Sequence, residues 1–363
     1  MMRFLLLATL LTLSACATDQ PQQAASLALQ TAKIEISDLG SQHGPEKPWT
    51  SLDVKDGPER FSFAVITDRT GGERKGKFGP FMEKVNLMQP AFVMSVGDLI
   101  EGYTQDAAQI ETEWVEFDGF VDTLDAPFFY VAGNHDYMNA QMEEAWRTRF
   151  GASYYHFLYK DVLFLVLNSE LLDIHPDGPD KTGGPGHAEW HATVDRQAKR
   201  DAQFAYAKDV LAKNPDVRWT FLFVHKPFWR EGWELPPRVP GGEWGDWDLS
   251  DYPVAGPWPI SDAKTDDWAA LEGLLAARDY TVFAGHRHTY HYEGEQVGPH
   301  THDKITLATT GGTSNLRGPA YGEFDQMAWI TMTNAGPVIA NVGLEAVLPK
   351  DLETPKARPW WVE

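Results

Sequence analysis

From residue 61 onward, short apolar runs alternate with glycine-rich turns and with stretches of helical periodicity. Residues 61–67, 91–95, 128–132, 219–224 and 280–284 are such runs, rich in Phe, Val and Tyr, and they predict buried strands. Between the second and third runs, Ile110, Trp114, Phe117, Val121 and Leu124 recur at intervals of four, three, four and three, which is one face of a helix. Residues 154–159 and 162–167 predict a hairpin around Lys160-Asp161. A helix is expected up to Lys213, stopped by Asn214-Pro215. Another follows a Thr265 cap and carries Trp268, Leu271, Leu274 and Leu275. Short strands are expected near 289–293, 304–309, 327–333 and 337–346. Strands alternating with helices indicate an α/β class.

Before residue 61 the pattern is different. Arg3 precedes a mostly apolar run over 4–12, and Leu13-Ser14-Ala15-Cys16 follows. The run is too short to span a bilayer, which needs roughly 20 residues, and it reads as a secretory signal. Its last four residues resemble a bacterial lipobox, in which the cysteine becomes the lipidated N-terminus; a plain signal peptide is the alternative. Ala17 follows, and by resemblance to lipoproteins lacking Asp there, the outer membrane is the expected destination, facing the periplasm. The expected organisation is 1–16 signal with lipobox, 17–57 polar tether and lead-in with a strand at 32–36, 58–350 folded domain, and 351–363 tail. Cys16 is the only cysteine, so intrachain disulfides and cysteine-based metal sites are excluded. The composition, 43% hydrophobic and 23% charged over 363 residues, is that of a globular chain able to bury a large core. With 31 Lys+Arg against 52 Asp+Glu, a long nucleic acid is not an expected partner, because such binding depends on basic side chains that neutralise phosphates.

Five strands end in polar clusters: Asp68, Gly97-Asp98, Gly133-Asn134-His135-Asp136, His225, and Gly285-His286-Arg287-His288. Ligands in α/β sheets bind at such strand ends. Carboxylate and imidazole together suit Mn, Fe and Zn, with Mg a further option. The glycines let the backbone turn where the ligand points inward. Any one of these pieces is an ordinary turn or core residue; their ordered recurrence after strands is what carries information.

The ordered set resembles the calcineurin-like metallophosphoesterase superfamily over roughly residues 60–315, chiefly through Gly133-Asn134-His135-Asp136 and Gly285-His286-Arg287-His288. The resemblance implies two facing mixed β-sheets flanked by helices, an α/β/β/α sandwich, with two metal ions at the strand ends. Carried over by motif, Asp98 bridges both ions, Asn134, His225 and His286 complete the second site, and Asp68 and His288 belong to the first. His135 is the implied catalytic histidine, with Asp136 orienting its ring. The implied reaction is attack of metal-activated hydroxide on phosphorus, His135 assisting the leaving group, with a small phosphorylated molecule as substrate. The first motif departs from the family: it reads Asp68-Arg69-Thr70 where a histidine is usual at the third place. Purple acid phosphatase relatives also lack that histidine and use a tyrosine three residues after the Gly-Asp aspartate; here that place is Glu101, with Tyr103 two further on. The first ion is therefore expected to have fewer protein ligands, with Glu101 or Thr70 beside it.

Near the site, Arg69 and Arg74 are candidates for holding phosphate oxygens, against the alternative of a solvated loop. The insertion at 229–262 is Trp-rich, and Trp229 and Trp233 are its candidate substrate walls because they follow His225. The competing function is a catalytically silent metal- or phosphate-binding envelope lipoprotein, and a third reading is a scaffold using the Trp-rich loop. Asn134 and His135 together favour the enzyme, since a binder has less need of a proton donor. Substrate and oligomeric state are left open by the sequence.

Overall fold

The computed structural model describes residues 30–33, 46–56, 60–172, 185–187, 189–190, 196–229 and 266–352. In chain order they form β1 (Gln30–Lys33), β2 (Asp53–Asp56), β3 (Phe61–Ile66), α1 (Phe78–Met88), β4 (Val93–Ser95), α2 (Ala107–Val121), β5 (Phe128–Phe129), α3 (Ala140–Phe150), β6 (Tyr155–Tyr159) and β7 (Val162–Val166). Next come α4 (Arg196–Lys213), β8 (Trp219–Phe223), α5 (Asp266–Leu275), β9 (Tyr280–Ala284), β10 (His291–Val297), β11 (His300–Thr306), β12 (Met327–Thr333), β13 (Gly336–Val342) and β14 (Val347–Pro349). Two six-stranded sheets result, in the orders β14-β13-β12-β3-β4-β5 and β10-β11-β9-β8-β7-β6, beside a β1-β2 pair. Both are mixed: β3, β4 and β5 run parallel, as do β7, β8 and β9, while β12 and β6 join antiparallel. The expected two-sheet architecture is what the chain adopts.

The strand sequences explain the layering. Alternate residues of a strand face opposite sides. In β3, Phe61, Phe63 and Val65 enter the core between the sheets, while Ala64 and Ile66 face α1, α2 and α3. In β7, Val162, Phe164 and Val166 point between the sheets, while Leu163 and Leu165 meet α4 and α5. Aromatics dominate the middle layer: Phe63 stacks on Phe92 at 5.3 Å and meets Phe164 and Phe221 edge-on at 5.3 and 5.1 Å. Each such ring taken out of water contributes about 1.5–3 kcal/mol. The predicted helix is α2, with Ile110, Trp114, Phe117 and Val121 buried and Asp106 capping its start through Ala108 N and Gln109 N. The hairpin turns at Lys160 and Asp161, at φ 48° and 58°, the left-handed pair that matches strand twist.

The lead-in contributes to the fold as well. Thr50 N donates to Phe128 O at 3.1 Å and Tyr130 N to Pro48 O at 2.8 Å, so residues 48–50 run along the β5 edge. Of the expected strand at 32–36, Ala32 and Lys33 belong to β1, paired with β2, and residues 34–36 lie outside the described residues. Cys16, Thr265, the tail beyond 352 and the insertion after Trp229, including Trp233, lie outside the described residues. Among the described residues no helix is long and apolar enough to cross a membrane.

One histidine of the outer layer gives the fold a pH dependence. His156 on β6 is buried, with the Tyr206 hydroxyl of α4 2.6 Å from its Nδ1. Burial lowers its pKa to about 4, against a weaker opposing pull from Asp209. The unfolded ring titrates near the ordinary value of about 6.5. Below that pH the unfolded chain takes up a proton that the folded ring refuses. The stability present above pH 6.5 is thus lost progressively down to pH 4, by about 3 kcal/mol in total. Denaturant midpoints measured across this window should show the decline, and His156→Gln should flatten it; an unaltered slope in the variant would place the pH dependence elsewhere.

Candidate metal centre

The carboxyl ends of β3, β4, β8 and β9, and the turn after β5, converge at one edge of the two sheets. Two groups of donor atoms lie there within 4.8 Å of one another: Asp98, His225 and His286, and Asp68, Asp98 and His288. Asp98 is common to both. Donors about 2.1 Å from one ion, at right angles to each other, stand about 3 Å apart. The separations found are 3.1 Å for Asp98 Oδ2 to His225 Nε2, 2.9 Å for Asn134 Oδ1 to His225 Nε2, and 3.2 Å for Asp68 Oδ1 to His288 Nε2. Asn134 thereby joins the second group, and the residues present fit a pair of cations sharing one carboxylate.

The far sides of the rings are tied down. His225 Nδ1 donates to Val96 O at 2.9 Å and His288 Nδ1 to Thr313 O at 2.6 Å. Each Nε2 is thereby left facing the carboxylates, where it holds a proton or, with a cation bound, would give its lone pair to the metal. Electrostatics agree. Burial pushes the Asp98 carboxyl up, but His225 and His135 overcome it and hold it well below the usual range. Burial disfavours charge on His225, yet Asp98 raises the ring to about 9. A carboxylate this buried demands positive charge beside it, and a cation supplies that as well as a ring proton does. His286 is pushed well below its ordinary value by burial, then by His225 and Lys226, which keeps it neutral.

The geometry costs backbone strain. Asp98, His286 and His288 have φ of 57°, 68° and 48°, left-handed values that non-glycine residues seldom adopt. At Gly97, φ 97°, a Cβ would lie 2.7 Å from Gly133 N, so the two ligand-bearing loops meet only because a side chain is absent. Asp136 secures that meeting. Its carboxylate accepts from Asp98 N, Leu99 N, Ile100 N and Gly133 N, at 2.8 to 3.2 Å. Burial, followed by repulsion from Asp98, raises its pKa to about 7.

Asp136 therefore does not orient the His135 ring as expected: its oxygens are taken up by backbone amides of the two loops. The ring is set by Glu101, whose carbonyl accepts from His135 Nδ1 at 2.6 Å, and by Tyr103, whose ring lies 4.3 Å away. His135 Nε2 faces Gly71, where a Cβ would come within 3.6 Å of it and within 2.8 Å of His288 Cε1. Gly71 thus leaves open the space in front of both histidines.

Three further expectations are corrected. Arg69 is buried and turned away from the centre: Nη1 donates to Leu99 O at 3.0 Å, and Nη2 pairs with Glu73 and Glu116, each at 3.1 Å. Arg74 is engaged with Asp325 and with Gly312 O at 2.8 Å, clamping the loop after β11. Trp229 is buried against Trp268 in the helix-side core, 5.7 Å between rings, and forms no substrate wall. At the departing motif, Thr70 Oγ1 donates towards Ile100 O at 2.6 Å and Asp98 O at 3.1 Å. Glu101 accepts from Glu73 N at 2.5 Å and Gly72 N at 3.3 Å. Both side chains brace the loops around the first group. Lys226, beside His225 and ion-paired with buried Glu170 at 2.8 Å, went unmarked by any motif. So did the carbonyls of Val96, Glu101 and Thr313, which no side-chain pattern can announce.

A family model described as calcineurin-like phosphoesterase matches residues 36–290. Among solved structures, a dimetal phosphatase from Danio rerio is similar over 82% of this chain and 100% of its own, with 14% identity and a TM-score of 0.53. An anchor protein of the Plasmodium inner membrane complex is similar over 82% of this chain and 91% of its own, with 14% identity and a TM-score of 0.47. A purple acid phosphatase from yellow lupin seeds matches 84% of this chain and 55% of its own, with 12% identity and a TM-score of 0.47. At these identities the likeness concerns the fold alone. A search of curated proteins gives no match. With its matched span covering most of the described fold and its ligand groups at the matched strand ends, this chain belongs to the calcineurin-like phosphoesterase family.

Proposed function

We propose that the chain is a metal-dependent phosphoesterase acting on small phosphomonoesters or phosphodiesters. The observation that carries the reading is the sharing of Asp98 by two ligand groups with His135 Nε2 beside the first of them. Bound as a pair, the ions supply a nucleophile at neutral pH and neutralise phosphoryl charge, which lets an acidic protein accept an anionic substrate. Family membership and the donor set support Mn, Fe or Zn in both positions, with Mg as the further candidate.

The side chains divide the remaining work. Asp98 spans the two positions, with Asp68 and His288 on one side and Asn134, His225 and His286 on the other. His135, held through Nδ1 by Glu101 O, carries a proton on Nε2 when charged and delivers it to the leaving oxygen across the space left by Gly71. Asp136 keeps the Asp98 and Asn134 loops in register. The test is a panel of aryl monoesters, diesters and nucleotides, with the full chain stripped of metal and then loaded with each metal in turn. Hydrolysis of at least one class by loaded protein only is expected. Two bound ions with no turnover on any substrate would favour a silent binder.

We propose a cell-envelope location for this activity, on the ground that Leu13-Ser14-Ala15-Cys16 follows a short apolar run. Cys16→Ser should leave the membrane fraction or remain unprocessed; unchanged fractionation would remove the lipid anchor from the account.

A further inference from the structure

Between Asp98 and α2 the chain makes a tight turn at Glu101-Gly102-Tyr103. Gly102 and Tyr103 both take left-handed backbone angles, φ 55° and 51°. Gly102 sits so close under His135 that a Cβ there would overlap the His135 carbonyl oxygen. Gly102 N donates to Glu113 Oε2 at 2.7 Å, which ties the turn to α2. A strained non-glycine residue persists only where its surroundings hold it, so the position of Tyr103 is built.

That position touches both halves of the centre. Asn134 Nδ2 donates to Tyr103 Oη at 2.8 Å, and this leaves Asn134 Oδ1 turned to His225 Nε2 at 2.9 Å. The phenol ring lies 4.3 Å from the His135 ring at 55°, on the histidine whose Nδ1 is held by Glu101 of the same turn. We propose that Tyr103 is a positioning residue with two separable tasks: its hydroxyl fixes the Asn134 amide so that the oxygen faces the second ion position, and its ring fixes His135 for proton delivery. The proposal rests on the phosphoesterase reading above.

The tasks separate in two variants of the full chain. Tyr103→Phe keeps the ring and removes the oxygen. Metal affinity at the second position should fall about 10–100-fold, as for loss of an outer partner of a metal ligand. At saturating metal the leaving-group dependence should match the parent. Tyr103→Leu removes both. It should show the same metal loss and, at saturating metal, a steeper leaving-group dependence, with kcat on poor leaving groups down by about 10-fold or more and KM little changed. Two readouts need no turnover: bound Mn or Zn per chain after dialysis at fixed free metal, and the proton resonance of His135 Nδ1–H, which should persist in Tyr103→Phe and broaden in Tyr103→Leu. Parent-like metal retention in Tyr103→Phe overturns the hydroxyl task. A sharp His135 resonance in Tyr103→Leu overturns the ring task. A parent that hydrolyses nothing sinks the enzyme reading instead, and these two readouts still decide the positioning of Asn134 and His135.

Discussion

Asp98→Ala loses both ions and nearly all hydrolysis. This is the largest effect expected of any single substitution, because one carboxylate belongs to both donor groups. Loss of a single preorganised charge-stabilising donor costs about 10²–10³-fold in turnover, and a ligand serving two ions costs at least that. The substitution also leaves His225 and His135 without the negative charge that faces them. Metal content by mass spectrometry, measured beside turnover, checks this. His225→Ala should chiefly empty the second position. If Asp98→Ala retained the parent's metal, the shared-ligand assignment would be wrong.

For His135→Ala the expected outcome is the opposite combination: metal content kept and turnover lowered by about 10²–10⁴-fold, the usual cost of a positioned proton donor. The ring makes no described contact with the donor atoms of His225 or Asp68. Its described hydrogen bond to Asp98 comes from the backbone N–H, at 2.9 Å, and survives the substitution. Esters with acidic leaving groups need little protonation, so their loss should be the smaller. An equal loss on good and poor leaving groups would remove the proton-donor role and leave charge stabilisation.

Much of this centre is legible in the sequence because each ligand follows an apolar run. A strand long enough to cross the core delivers the next polar residue to the same sheet edge every time. The helices that brace the edge are less visible. In α1, Phe78, Phe81, Met82 and Val85 carry the helical spacing and are buried, but Gly79-Pro80 reads as a turn. Pro80 is tolerated because the first turn of a helix has no partners for its N–H groups. In α3 only Met142, Trp146 and Phe150 are buried, one residue per turn, too thin a stripe to stand out. Arg69 and Arg74 show a different limit. A long side chain beside a ligand reaches either towards the substrate or away from it, and local sequence does not say which. Glu116 on α2 and Asp325 before β12 decide the direction here, and both are remote in sequence. Asp136 illustrates the same point. Its neighbour His135 suggested a ring partner, whereas the carboxylate is saturated by amides of the 98–100 loop, close only after folding.

The central claim is that Asp98 is shared by two cations at the meeting of the two sheets. Anomalous diffraction from crystals grown with excess Mn tests it most directly. The account predicts two peaks about 3.5–4 Å apart, one among Asp98, Asn134, His225 and His286, the other among Asp68, Asp98 and His288, with the Asp98 carboxylate between them. A single peak, or two peaks of which one lies away from Asp98, would contradict it.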